Sequence, residues 1–298
     1  MKFRAHDTFA IRKGWLHKGM RHVINNPRVF VDKDINQMDE LGMGANMVKA
    51  LRYWLQAVGL TVEGVGNTRE QALTPIGQII WENDSYIEED GTLYLLHYLL
   101  ASNKELATSW YYFFNHINSN EIDKQTFLDN LKLYIDLEGD GTSVAERSLE
   151  DDFDCIIKTY IPTSKTSNRK ENSPENNMDS PLCDTYLVAI NDKKAKTYKK
   201  TTPRAGAINP LIVLAVIINE KNKNGDAGDI KISRFEKDPC NIGRIFNFDS
   251  FTISNYLDRL ANLGYIKVIR TSGLDIVQIK TEMTFIECVA AYYQNLNR

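Results

Sequence analysis

Two kinds of residue in this chain could do chemistry: acids close to a histidine, and bases interleaved with aromatic rings. The opening stretch HDTFAIRKGWLHK, His6 to Lys18, holds both. His6 stands beside Asp7, and Arg12, Lys13, His17 and Lys18 alternate with Phe9, Ile11, Trp15 and Leu16. Further along, DSYIEEDGT carries Asp84, Glu88, Glu89 and Asp90, and TSVAERSLEDDFDCIIKTY carries Glu146, Glu150, Asp151, Asp152 and Asp154. Two or three carboxylates with a histidine could hold Mg2+ or Mn2+ for phosphodiester cleavage. On that reading Glu89, Asp90, Asp151 and Asp152 are candidate metal ligands, with His6 and Asp7 as candidate catalytic groups. The same acids also suit a structural task. Ser143 with Glu146 reads as a capping box, and Glu88 to Asp90 precede the apolar segment TLYLLHYLLA, where acids favour the helix macrodipole.

The second kind of chemistry is recognition of nucleic acid. In LGMGANMVKALRYWLQAVGL, Leu41 to Leu60, Val48, Leu51, Leu55 and Val58 fall at steps of three and four, which predicts one buried helix face. The opposite face carries Asn46, Lys49, Arg52, Tyr53 and Gln56, a mixture suited to base edges and phosphates. A short extended piece, LTVE, and a polar loop follow, then ALTPIGQII with Thr74 as N-cap and Pro75 at the first helical position. Helix, small wing and helix make a winged-helix pattern. Plain solvation of an amphipathic helix gives the same polar face.

A second unit of this kind is predicted in FDSFTISNYLDRLANLGYIKVIRTSGLDIVQIK. Asp249 or Ser250 caps a helix whose buried stripe is Ile253, Leu257, Leu260 and Leu263, and YIKVIR, TSG and LDIVQIK then form a hairpin. Its polar face, Thr252, Asn255, Asp258, Arg259 and Asn262, is less basic, and such units also dock proteins. Between the two units, NDKKAKTYKKTTPR places lysines, Lys199 and Lys200 among them, around Tyr198. That hairpin could track a phosphate backbone with the ring stacked on a base, or be solvated. His97 and the aromatic run SWYYFFN read as core.

The elements that position these groups fit an α+β fold, mainly α with small β-hairpins. At 298 residues the chain suits two domains. The polar stretch Pro162 to Pro181 separates residues 1–161, a helical domain, from residues 182–298, an α+β domain, each with a winged-helix-like unit. The net charge of −3 excludes a general polycation, so any affinity for DNA rests on local placement of bases. Cys155, Cys183, Cys240 and Cys288 lack zinc spacing and read as reduced thiols of a cytoplasmic protein. No apolar run long enough for a bilayer and no signal-peptide pattern is present. The phosphate-binding glycine loop, GxGxxG, HExxH and the nucleophile elbow are all missing, which argues against a nucleoside triphosphatase or nicotinamide enzyme.

Taken together, HDTFAIRKGWLHK, LGMGANMVKALRYWL, EEDGTLYLLHYLLA, SWYYFFN and GRIFNFDSF…TSGLDIVQIK resemble bacterial domain-of-unknown-function family 4007, in the family's order and across nearly the whole chain. The resemblance implies gene clusters for DNA phosphorothioation and phage defence, with a phosphoadenosine-phosphosulfate-reductase-like sulfur-transfer protein and an ATPase as neighbours. In single-strand phosphorothioation systems, the component that looks like this family is regarded as a DNA nickase. It would open or present a strand so that a partner replaces a non-bridging oxygen with sulfur. The resemblance assigns no catalytic residue here. Three readings follow: a double-stranded-DNA-binding component of such a system, a nickase needing Mg2+ or Mn2+, and an adaptor that binds only proteins. Expected DNA contacts are Asn46, Lys49, Arg52, Tyr53 and Gln56, with Arg12, Lys13, Lys199, Lys200 and Arg259 beside them. The first reading requires no cofactor, and a homodimer is compatible with all three.

Overall fold

The computed structural model describes residues 1–64, 69–119, 121–139, 141, 143–162, 179–226, 228–271 and 274–296. The expected linker, Pro162 to Pro181, thus lies almost wholly outside the described residues. As the sequence predicts, the protein is mainly helical with small antiparallel sheets.

The N-terminal half begins with α1 (Trp15–Asn25), α2 (Gln37–Leu41) and α3 (Ala45–Ala57), followed by the hairpin β1 (Thr61–Glu63) and β2 (Gln71–Leu73) and by α4 (Pro75–Asn83). Thr74 caps α4 by accepting from Gly77 N–H at 2.9 Å, with Pro75 at the first helical position, as expected. Helix α1 lies close against α3 because Gly19 has no side chain: a Cβ there would stand 2.7 Å from Leu55 Cδ1.

Helix α5 (Asp90–Ala101) is apolar all round and therefore central, with Leu93, Leu95, Leu96, Tyr98 and Leu100 buried. Helices α6 (Thr108–Asn115), α7 (Lys124–Glu138) and α8 (Glu146–Tyr160) complete this half. The capping-box expectation is corrected here. The residue before α8 is Ala145, no side chain caps the helix, and Glu146 pairs instead with Lys132 at 3.1 Å.

After a 3₁₀ turn at Pro181–Thr185, the hairpin β3 (Val188–Asp192) and β4 (Thr197–Lys200) leads to the apolar helix α9 (Pro210–Lys223). Then come β5 (Ile230–Lys231), α10 (Ile232–Lys237), α11 (Ile242–Ile245), α12 (Ser250–Asn262), β6 (Ile266–Thr271), β7 (Leu274–Ile279) and α13 (Phe285–Leu296). Strand β7 is the centre of a three-stranded antiparallel sheet in the order β5–β7–β6, with Ile266 opposite Ile279 and Val268 opposite Val277.

One hydrophobic cluster runs through both halves. Helix α13 packs on α9 and returns to the first half, where Tyr292 Oη accepts from Gly91 N–H at 3.1 Å and Tyr293 Oη meets Thr92 Oγ1 at 2.6 Å. His97 on α5 is the polar pin of this seam. Its two ring nitrogens meet Tyr160 Oη of α8 and the Ile245 carbonyl of α11, each at 2.7 Å. Because the carbonyl can only accept, Nε2 carries the proton and Nδ1 takes the tyrosine hydrogen. Burial pushes His97 down to about 4, so it is neutral at pH 7. The four cysteines form no disulfide.

Candidate nucleic-acid interface

Helix α12 has the outward face that the sequence predicts. Ile253, Tyr256, Leu257 and Leu260 are buried, while Phe251, Asn255, Asp258, Arg259 and Asn262 are exposed. The expected fourth stripe residue, Leu263, lies outside the core at 58% exposure, because the helix ends at Asn262. Asp249 sets the start of α12 by accepting from Thr252 N–H at 2.7 Å. On the exposed face, Asp258 is spent on Arg270 of the adjoining hairpin, at 3.1 Å, and Arg270 also reaches Ser254 at 2.8 Å. Arg259 lies over the Tyr256 ring, 5.4 Å from its centroid, and pairs with no carboxylate among the described residues. Lys267 on β6 is exposed and likewise unpaired among them. The arrangement offers two uncommitted cations beside amide groups, which suits phosphates and base edges.

Helix α3 differs. Asn46 and Lys49 are exposed as expected, but Tyr53 is only 6% exposed, with its ring 5.1 Å from that of Trp54. Tyr53 therefore leaves the list of accessible contacts. Arg52 is committed as well: its Nε and Nη2 donate to the two carboxylate oxygens of Glu63 on β1 at 3.0 and 2.7 Å. Gln56 turns back to donate to Arg52 O at 3.0 Å. The physical reason is enclosure. Helix α1 packs against one flank of α3, and the opening stretch covers another, where Trp54 Nε1 donates to Phe9 O at 2.9 Å.

The opening stretch contains a buried polar hub. His6 is fully buried and Nε2 meets Asp152 Oδ1 at 2.8 Å. Thr8 N–H donates to Nδ1 at 3.0 Å, which fixes the proton on Nε2. Asp152 also accepts from Arg4 N–H at 2.8 Å and from the Ser109 hydroxyl at 2.6 Å. The carboxylate sits between serine and histidine, so the hydroxyl faces the carboxylate and not the imidazole of a serine–histidine pair. Asp7 does not join His6; it takes a left-handed backbone conformation, as do Arg4 and Thr8. Arg12, Lys13 and His17 line a cleft of about 340 Å3 with Tyr86 and Asp184. There Lys13 pairs with Asp184 at 2.7 Å, and the His17 ring stacks on Tyr86 at 4.1 Å and on Trp81 at 5.4 Å.

Of the acidic candidates, Asp151 and Asp152 are engaged by other side chains, and Glu89 and Asp90 stand at a helix start. Asp152 carries three donors, and Asp151 lies 2.7 Å from Arg4 Nε. Glu89 and Asp90 begin α5, preceded by a turn in which Asp84 accepts from the N–H groups of Glu88 and Glu89 at 2.9 and 3.1 Å. Among the described residues, no three His, Cys, Asp or Glu side chains are grouped to hold a metal ion.

The lysine hairpin is divided. Lys199 is exposed with Lys193, Lys194 and Lys196, but Lys200 turns inward. Its Nζ donates to Phe114 O at 2.9 Å and Ile117 O at 2.8 Å, satisfying the end of α6. Tyr198 is half-buried against Phe153 and is not an open stacking platform. Sequence reasoning also missed Phe251, 74% exposed, and Lys267. The pattern signal for Phe251 was its place two residues ahead of Ile253, off the buried stripe.

The fold and these sites define an α+β protein with a helix-and-hairpin unit in each half. The chain belongs to the family described as protein of unknown function (DUF4007), which it matches over residues 3–293. It is similar to the crystal structure of magnesium-ion-bound SspB, with 26% identity and a TM-score of 0.83, covering 99% of this chain and 87% of that one. A further SspB crystal structure gives 24% identity and a TM-score of 0.82 with the same coverage, a likeness in fold. No curated protein matches. No helix among the described residues is long and apolar enough to cross a membrane.

Proposed function

We propose that this protein is the DNA-binding component of a bacterial DNA-modification system of the phosphorothioation and phage-defence kind. Membership of the family and the likeness to SspB support the system. The observation that carries DNA binding is the exposed face of α12, with Arg259 and Lys267 uncommitted beside Asn255 and Asn262. In this reading the run α9, β5, α10, α11, α12, β6, β7 works as a winged-helix-like unit, with α12 entering the major groove while the β6–β7 hairpin follows the backbone. Double-stranded DNA is the ligand. A sulfur-transfer protein and an ATPase, carried over from the family resemblance, are the protein partners.

Fluorescence anisotropy with a labelled duplex tests the reading. Changing Arg259 and Lys267 together to alanine should weaken binding about tenfold and lower the slope of log K against log salt by ~2. A wild-type protein with no salt-sensitive affinity would leave the adaptor reading standing in its place.

Strand nicking is the second reading, favoured by the magnesium ion named for the SspB relative. The His6–Asp152 hub does not fit a divalent metal, because its carboxylate is saturated by three hydrogen donors and is buried. Conversion of supercoiled plasmid to open circle, with and without Mn2+, decides whether this chain cuts at all.

A further inference from the structure

The cleft at the start of α12 holds two cations and no acid that neutralises either. It measures about 400 Å3 and lies between the end of α6, the end of β4 and the corner joining α11 to α12. Lys200 enters it from β4, and its two carbonyl partners, Phe114 O and Ile117 O, use two of the three ammonium protons. Arg244 enters from α11. Its Nε donates to Lys237 O at 3.2 Å and its Nη1 to the side-chain oxygen of Asn118, which leaves the remaining guanidinium N–H groups for another acceptor. Neither cation has a carboxylate at ion-pair distance among the described residues.

The two acids on the cleft wall have tasks of their own. Asp249 caps α12 through Thr252 N–H, and Glu236 accepts from the Ser250 hydroxyl at 3.3 Å. The cations are held together by the fold. A Cβ on Gly243 would stand 2.6 Å from Glu236 Cα, so glycine is what lets α11 press on α10 and set Arg244 at the mouth. Burial, with Arg244 adding to it, pulls Lys200 down to about 7, and no carboxylate among the described residues stands at ion-pair distance as a counter-ion.

An oxyanion spanning the ammonium and the guanidinium fork would supply that counter-ion, since both donors form their strongest hydrogen bonds to charged oxygens. A phosphate has enough oxygens to meet both, and the cleft is wide enough for a phosphate attached to something larger. We propose that Lys200 and Arg244 bind a phosphate group, either free inorganic phosphate or a phosphate of a nucleic-acid backbone. The backbone source rests on the DNA-binding reading above, but the phosphate site does not.

Isothermal titration of the full chain with inorganic phosphate, against chloride at matched ionic strength, tests the site. Wild type should bind saturably in the millimolar range, Arg244→Gln should bind about fivefold more weakly or worse, and Arg259→Ala should be unchanged. Arg244 is the safer variant, because removing the Lys200 ammonium would strip the Phe114 and Ile117 carbonyls of their donor. A second arm adds phosphate to a preformed complex with labelled duplex. Release of duplex at the phosphate concentration that saturates the cleft assigns it to the backbone, and saturation without release assigns it to a free anion. No saturable phosphate binding, or equal affinity in Arg244→Gln, overturns the site whatever the duplex does.

Discussion

Helices α3 and α12 are built alike and placed differently. Each has thirteen residues, one buried stripe and a hairpin behind it. Around α3 the opening stretch, α1 and β1 have closed in, so Tyr53 is core and Arg52 is bound to Glu63. Around α12 the packing stops at one side, and Phe251, Asn255 and Arg259 stay outside. An amphipathic pattern thus specifies which face is buried first, but not whether a second layer will cover the other. The teaching is that one unit serves as architecture and the other as surface.

The sharpest way to break that contrast is to remove the hub that closes the N-terminal unit. Asp152→Ala leaves Arg4 N–H, His6 Nε2–H and the Ser109 hydroxyl without their acceptor inside the core. It also releases a turn in which Arg4, Asp7 and Thr8 hold left-handed conformations that only surrounding contacts maintain. The expected loss is about 3–5 kcal/mol in urea unfolding. Asp258→Ala, which removes an exposed pair on α12, should cost about 0.5 kcal/mol or less. Comparable losses at the two sites would end the division into architecture and surface.

The seam between the halves makes the next-largest prediction. His97 is neutral in the fold and held to about 4, against an ordinary value of 6.5 in the unfolded chain. The unfolded state therefore binds the proton first, and stability falls as pH drops from 6.5 towards 4. The shift corresponds to about 3 kcal/mol. Urea midpoints at pH 7, 5 and 4 should fall more steeply in wild type than in His97→Gln, the difference isolating this histidine from the carboxylates. Because α5, α8 and α11 share it, the loss should appear in a single transition. Two separate transitions would show that the halves unfold independently and that the continuous cluster does not couple them.

The sequence carried the local devices well. Thr74 with Pro75, Asp249 as a cap and the stripe residues Ile253, Leu257 and Leu260 of α12 follow from residue type and spacing, because a cap or stripe needs only neighbours within a few positions. What failed was long-range. Nothing near Tyr53 announces that a strand of chain some forty-five residues earlier will lie across its helix, and nothing near Lys200 announces the carbonyls of Phe114 and Ile117. His6 and Asp152 were both singled out, but as metal or catalytic candidates. Their meeting across the core, with the proton positions set by Thr8 and Ser109, is a long-range contact that no local spacing announces. Arg244 lies in the stretch GRIFNFDSF, whose spacing marks no site, and its use depends on Lys200 arriving from another element.

The smallest expected effect is the most discriminating for the comparison itself. Glu63→Gln keeps the side-chain volume but removes the charge that holds Arg52, so the guanidinium becomes available on the α3 face beside Lys49 and Asn46. The pair is half-buried and partly screened, so the stability cost should be about 1 kcal/mol or less. If α3 is architecture, freeing Arg52 adds a cation where no phosphate comes near, and duplex affinity and its salt slope should stay within about twofold of wild type. If α3 lies on DNA, the same change adds a phosphate contact and removes a repelling carboxylate, so binding should tighten and the slope should steepen by ~1. Anisotropy at two salt concentrations separates the outcomes. A tightened complex would restore α3 as a reading helix and make Glu63 the residue that restrains it.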